Sequence, residues 1–199
     1  MAETATAALE LPFGSVERKG VGWWGVICLI ATEAALFAYL LFSYYYTWLE
    51  IGPGFLPRHP PSMDLAAPNT VILISSSFVA NWTEKSIKAG RKGRFLIGGG
   101  ITVLLGVVFV GMQLLEWNSK HYSLQTGPYG SLFFTITGFH MAHVVVGLLV
   151  WLTMLTWGGR GYFDQRRHTP VLITAVYWHF VDVVWLAVFF TFYLTPYVW

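Results

Sequence analysis

Six ionisable side chains of this sequence stand in apolar surroundings, and most are spaced as neighbours on a helix. "GFHMAH" sets His140 and His143 three residues apart. "YWHFVDVVW", residues 177–185, sets His179 and Asp182 at the same interval, behind Tyr177. Residues three or four apart share a helix face. Glu33 lies in "LIATEAALFAYLL" and Glu116 in "GMQLLEW". Imidazoles and carboxylates in such places have three uses. They can hydrogen-bond across helices and fix register. They can hold or pass a proton. They can ligate: His140 or His143 with His179 could bind a haem from facing helices, and the three histidines suit copper or zinc by ligand type. The first use predicts one interhelical polar network of His140, His143, Tyr177, His179 and Asp182. Glu33 has no basic neighbour at helical spacing. Its carboxyl is expected to keep its proton, either as a neutral hydrogen-bonding group or as a proton-linked one.

The elements that must position these groups follow from composition. Of 199 residues, 55% are hydrophobic and 11% charged. The charged share is about half that of an ordinary globular domain, and mean hydropathy is positive. This predicts an all-α integral membrane protein, not a soluble domain or a nucleic-acid binder. Five segments can cross a membrane: 21–48, 68–87, 95–117, 131–157 and 171–194. Each reaches about 20 residues, enough for about 30 Å of hydrocarbon at 1.5 Å per residue. The second carries Asn69, Ser75, Ser76, Ser77 and Asn81, and is read as a helix that faces other helices; a re-entrant or surface helix is the alternative. Glu33, His140, His143, His179 and Asp182 fall near mid-span. Glu116 falls near the end of the third span.

The expected organisation is an N-terminal segment, 1–19, and one five-helix transmembrane domain, 20–199. The first 19 residues carry Glu3, Glu10 and Glu17, with Arg18 and Lys19 only at the end. They lack the basic start and short apolar core of a secretory signal, so the first apolar segment is expected to remain as a span. Arg18, Lys19, Lys85, Lys88, Arg91, Lys92, Arg94, Arg160, Arg166 and Arg167 would share one side of the membrane. Only Arg58 and Lys120 would stand on the other. Lysine and arginine concentrate on the cytoplasmic side, so the N-terminus is expected in the cytoplasm and the C-terminus outside. Gly99, Gly106 and Gly111 in span three, and Gly138, Ala142 and Gly147 in span four, are expected to allow close helix contact. Cys28 is expected to be a small packing residue. A proton-coupled transporter built around Glu33 would show repeats and broken helices, and neither is evident.

The motifs resemble a family. "YGSLFFTITGFHMAHVVVG", residues 129–147, followed by "YWHFVDVVW", is similar to subunit III of the haem–copper oxidases, and nearest to the cytochrome c oxidase type. "GMQLLEW" looks like that family's glutamine-glutamate-aromatic motif, and "TEAALF", residues 32–37, like its glutamate helix. The resemblance covers residues 20–195. It implies an accessory subunit with no catalytic residue, no haem and no copper of its own. Haem and copper would lie in partner subunits of a complex that reduces O₂ to water and pumps protons. The direct partner would be subunit I, with subunit II and a small subunit IV in the same complex, in a bacterial cytoplasmic (inner) membrane. The chain would stabilise subunit I, support proton uptake and hold phospholipid. Glu33 matches a position whose carboxyl reacts with a carbodiimide in the family. Subunit III of a quinol oxidase, or a homologue associated with nitric-oxide reductase, shares these helices. A haem-ligating electron-transfer subunit is the remaining alternative. Two departures stand out. Long members carry seven spans, so this chain resembles a short five-helix form and not all lipid ligands carry over. Met141 and Ala142 separate the histidines where the family often has Gly-Leu.

Overall fold

The computed structural model of the chain describes residues 20–57, 61 and 63–198. The segment 1–19 lies outside the described residues, as does Arg58. The long helices are α1 Val21–Ile51, α2 Met63–Lys88, α3 Lys92–Ser119, α4 Pro128–Gly159 and α5 Thr169–Phe189; each of the first four contains its predicted span, and the fifth span, 171–194, begins in α5 and runs on past its end. All five are long and apolar enough to cross a membrane. A five-residue π-helical turn, Phe190–Leu194, continues α5, and a short α6 follows at Thr195–Val198.

The helix limits follow local chemistry. Pro128 begins α4 and Pro170 sits in the first turn of α5, where a missing N–H costs no intrahelical bond. α2 starts a turn earlier than the sequence suggested. Pro68 lies inside it, and Asp64 occupies its first turn. A proline near the start of a helix forfeits little, and an acid there complements the helix dipole. α2 turns into α3 at Gly90, whose φ of 71° suits glycine.

α2 and α3 form the closest helical hairpin. α4 packs between α3 and α5, and α5 touches α1, α2 and α4. α1 docks on α4 and α5 through a narrow stripe, Val26, Phe37 and Tyr44. Its other faces are open: Leu29, Tyr39, Phe42 and Leu49 are exposed. Cys28 is exposed as well, so it fills no gap within this chain. The polar residues of α2 mostly face inward, as expected. Asn69 and Ser76 are buried, but Asn81 points out.

Trp178 of α5 is fully buried between α3 and α4. A Cβ on Gly147 would stand 2.8 Å from its Cε3, and one on Gly106 would stand 2.9 Å from its terminal ring carbon. Two glycines, from α3 and α4, therefore admit one indole. Gly99 is similarly closed, by Leu155. Gly111 has no neighbour where a Cβ would go, Gly138 has only a loose one, and Ala142 is exposed. Those three expected contacts are absent because their faces turn outward or are loosely filled. Gly98 is close against Trp82 and Thr83, which spacing did not single out.

Candidate functional site

The expected single network is divided into separate clusters. The first joins α1 to α4. His143 Nδ1 lies 2.7 Å from the carbonyl of Phe139, one turn back on its own helix. A carbonyl can only accept, so Nδ1 carries a hydrogen and donates it. His143 Nε2 lies 3.0 Å from Glu33 Oε2. With Nδ1 committed, one further proton serves the contact. Either Glu33 is the acid and donates to a neutral ring, or the ring is an imidazolium that donates to a carboxylate. Phe37, one turn beyond Glu33, packs edge-on against His143, with ring centroids 5.1 Å apart. The Tyr177 hydroxyl donates to the backbone carbonyl of His143 at 3.3 Å. The Glu33 side chain is 26% exposed and that of His143 16%, so the pair can be reached from the side of the bundle.

The second cluster joins α2 to α5. Ser77 Oγ lies 2.8 Å from His179 Nδ1 and donates to Asp182 Oδ2. One hydroxyl thus bridges the imidazole and the carboxyl that the sequence places a turn apart. Above and below it, Trp178 Nε1 donates to Ser76 Oγ at 2.9 Å and Trp185 Nε1 donates to Thr70 Oγ1 at 2.9 Å. These bonds account for the polarity of α2: its hydroxyls are acceptors for the indoles of α5.

His179 and Asp182 do not meet His140 or His143, contrary to expectation. His179 and Asp182 face α2, and α4 approaches another side of α5. There His140 Nε2 donates to the carbonyl of Val181 at 3.2 Å. His140 is wholly buried between Phe37, Phe109 and Trp185, with centroids at 6.5, 5.8 and 4.9 Å. The three imidazoles therefore address three different partners. Among the described residues no group of three or more His, Cys, Asp or Glu could hold a metal ion.

The third cluster lies at the end of the bundle where α1, α3 and α5 finish and α2 and α4 start. Glu116 is 1% exposed. Its Oε1 accepts from the Tyr193 hydroxyl at 2.5 Å and pairs with Lys120 Nζ at 2.8 Å. The Lys120 side chain is itself only 7% exposed, and its ammonium sits 5.6 Å from the ring centres of both Phe133 and Tyr193. The sequence shows Lys120 only as a charge on the poorly basic side of the membrane; its i, i+4 spacing from Glu116 is the signal that pairs them. Tyr193 was also missed. It lies in the π-helical turn, a widened turn that propensity does not announce.

The sequence model of the family described as cytochrome c oxidase subunit III matches residues 13–199. Cytochrome c oxidase subunit 3 of Synechocystis sp. is 35% identical over 175 residues, covering 86% of this chain and 74% of its own. The subunit 3 of Thermostichus vulcanus is 33% identical over 177 residues, covering 85% of each chain. That of Loxodonta africana is 33% identical over 179 residues, covering 85% of this chain and 68% of its own.

Proposed function

The chain belongs to the cytochrome c oxidase subunit III family, and on that premise we propose that it is an accessory, non-redox subunit of the oxidase complex. The observation that carries this reading is where the imidazoles are spent. His140, His143 and His179 each bond to protein, on Val181, Glu33 and Ser77. His140 Nδ1 is left without a hydrogen-bond partner, but the three rings turn to three different helices, and a haem or copper site needs nitrogens aimed at one shared centre. The haem and copper of the complex belong, on this reading, to partner subunits, with subunit I as the direct contact. Subunit II and a small subunit IV complete the assembly.

The open faces of α1 and the outer faces of α3 and α4 fit a chain that packs against a larger membrane subunit and phospholipid. Leu104, Leu115, Val146 and Leu149 are among the exposed residues. The chain stabilises subunit I, and Glu33 with His143 holds a proton beside its uptake path. The lysine and arginine distribution supports a cytoplasmic N-terminus in a bacterial inner membrane.

Mild-detergent purification followed by visible spectroscopy tests the role. The expected result is haem absorbance that travels with a larger co-purifying subunit and is absent from the separated chain. Haem retained by the separated chain would overturn it.

A further inference from the structure

The end of the bundle around Glu116 holds more polar atoms than the protein pairs. The hydroxyls of Tyr122 and Tyr129 are buried with at most each other as partner, and Glu116 Oε2 and the Tyr44 hydroxyl are buried with none. One turn deeper on α3, both amide atoms of Gln113 are in the same condition. Tyr44, Gln113, Glu116 and Tyr129 are each at most 5% exposed. Three of the rings form one group: Tyr122 and Tyr129 have centroids 5.5 Å apart, and Tyr44 and Tyr129 6.2 Å. Glu116 stands within electrostatic range of the Tyr122 and Tyr129 hydroxyls.

The surroundings are built to enclose this group. Phe55, Phe133 and Phe192 wall it, each within 6.4 Å of the Tyr129 ring centre. The segment between α3 and α4 folds over it. Ser131 Oγ donates to the carbonyl of Leu124 at 2.6 Å, and a side chain at Gly130 would collide with the carbonyl of Ser123. The π-helical turn sends Tyr193 to Glu116 and leaves Thr191 Oγ1 3.1 Å from the Tyr45 hydroxyl on α1.

We propose that this polar group binds a small cluster of ordered water, held by Glu116 Oε2, Gln113 and the hydroxyls of Tyr44, Tyr122 and Tyr129. Buried water makes about three hydrogen bonds to polar groups that protein cannot pair, so these atoms, with Tyr122 and Tyr129 facing each other, call for about one or two molecules. The donor set suits water. Tyrosine hydroxyls and an amide both give and accept, and the carboxylate accepts. A metal cation is disfavoured, because the Lys120 ammonium already neutralises Glu116. The water ties α1, α3 and α4 together at this end of the bundle. This inference concerns the chain's own interior and does not depend on the proposed role in the complex.

The test is hydroxyl-radical footprinting of the purified oxidase complex with microsecond X-ray pulses and mass spectrometry. Radicals arise from water where it stands, so a buried ring oxidises only with water beside it. The expected result is oxidation of Tyr44 and Tyr129 at rates comparable to the exposed loop residue Tyr162, with the equally buried Phe109 and Trp185 unmodified. Tyr129→Phe, which removes a hydroxyl and no bulk, should then lower the labelling of Tyr44. Tyr44 and Tyr129 as inert as Phe109 in the wild-type complex would overturn the proposal.

Discussion

His143 Nε2 and Glu33 Oε2 meet at 3.0 Å across 110 positions of sequence, and they are the polar attachment of α1 to α4. α1 also rests on its buried stripe of Val26, Phe37 and Tyr44, and its Tyr45 hydroxyl meets Thr191. Glu33→Gln should preserve this contact, because a carboxamide N–H can donate to Nε2 once Nδ1 serves Phe139. Glu33→Leu should leave Nε2 without a partner. Interhelical hydrogen bonds in membranes contribute about 0.6 kcal/mol on average and up to about 1.7. The expected outcome is near-wild-type heat resistance of the complex for the glutamine variant and a measurable loss for the leucine variant. If proton uptake uses the pair, Glu33→Gln should still slow turnover, which separates the proton role from the structural one.

The indole of Trp178 leaves no room for a methyl group at Gly147. Gly147→Ala should force α4 from α5 or turn the indole out of place, at about 1–3 kcal/mol. Gly111→Ala, on an open face of α3, should be nearly neutral. Thermal aggregation of the two variants side by side is the measurement. Equal midpoints would show that the close crossing does not hold the bundle.

Ser77 is the joint of the α2–α5 contact. Ser77→Ala should strand His179 Nδ1 and Asp182 Oδ2 together, whereas Ser75→Ala should remove only a hydroxyl bonded to its own helix at Val71. A polar group left unpaired when buried costs about 1–3 kcal/mol. The Ser77 variant should therefore yield less assembled subunit in detergent, and the Ser75 variant should match the wild type.

Asp164, in the loop between α4 and α5, carries a pH dependence of known sign. Its Oδ1 accepts the backbone N–H groups of Arg167 and Arg166, each at 2.8 Å. These bonds, assisted by the charges of Arg167 and Lys92, hold the carboxyl below its ordinary value of 3.8. A lowered folded-state value means that the stabilisation is complete above the ordinary value and is lost as pH falls through the lowered one. Protection of the Arg166 and Arg167 amides, after correction for intrinsic exchange, should be constant near neutrality and fall only in acid below about pH 4. Asp164→Asn keeps an acceptor but cannot titrate, so its protection should be weaker at neutral pH and flat with pH.

Hydrophobic runs made all five helices legible, because a span must satisfy its own backbone and so needs an unbroken apolar stretch. The spacing of His179 and Asp182 on one helix face was also legible, and both meet Ser77. That partner was not legible. Helical spacing shows that His179 and Asp182 share a face but not which helix that face meets. Ser77, the partner, looked like one of several hydroxyls on α2. Tyr193 was hidden for another reason: the π-helical turn shifts the angular phase of α5, so regular spacing misplaces the residues within it.

Lys120 and Glu116 provide the sharpest test of what that end of the bundle requires. Both side chains are nearly inaccessible, at 7% and 2% exposure, and Oε1 of the carboxylate meets both Lys120 and Tyr193. Removing one member of a buried pair strands the other charge, at about 3–5 kcal/mol, while replacing both with neutral groups of similar size is often nearly neutral. Lys120→Met should therefore destabilise the subunit strongly, and Glu116→Gln together with Lys120→Met should recover most of the loss. The exposed pair of Glu84 and Lys88, also four residues apart, is the control. Lys88→Met should cost no more than about 0.5 kcal/mol. Unfolding midpoints of the three variants decide the matter: if Lys120→Met matched Lys88→Met, Glu116 would not depend on its ammonium partner.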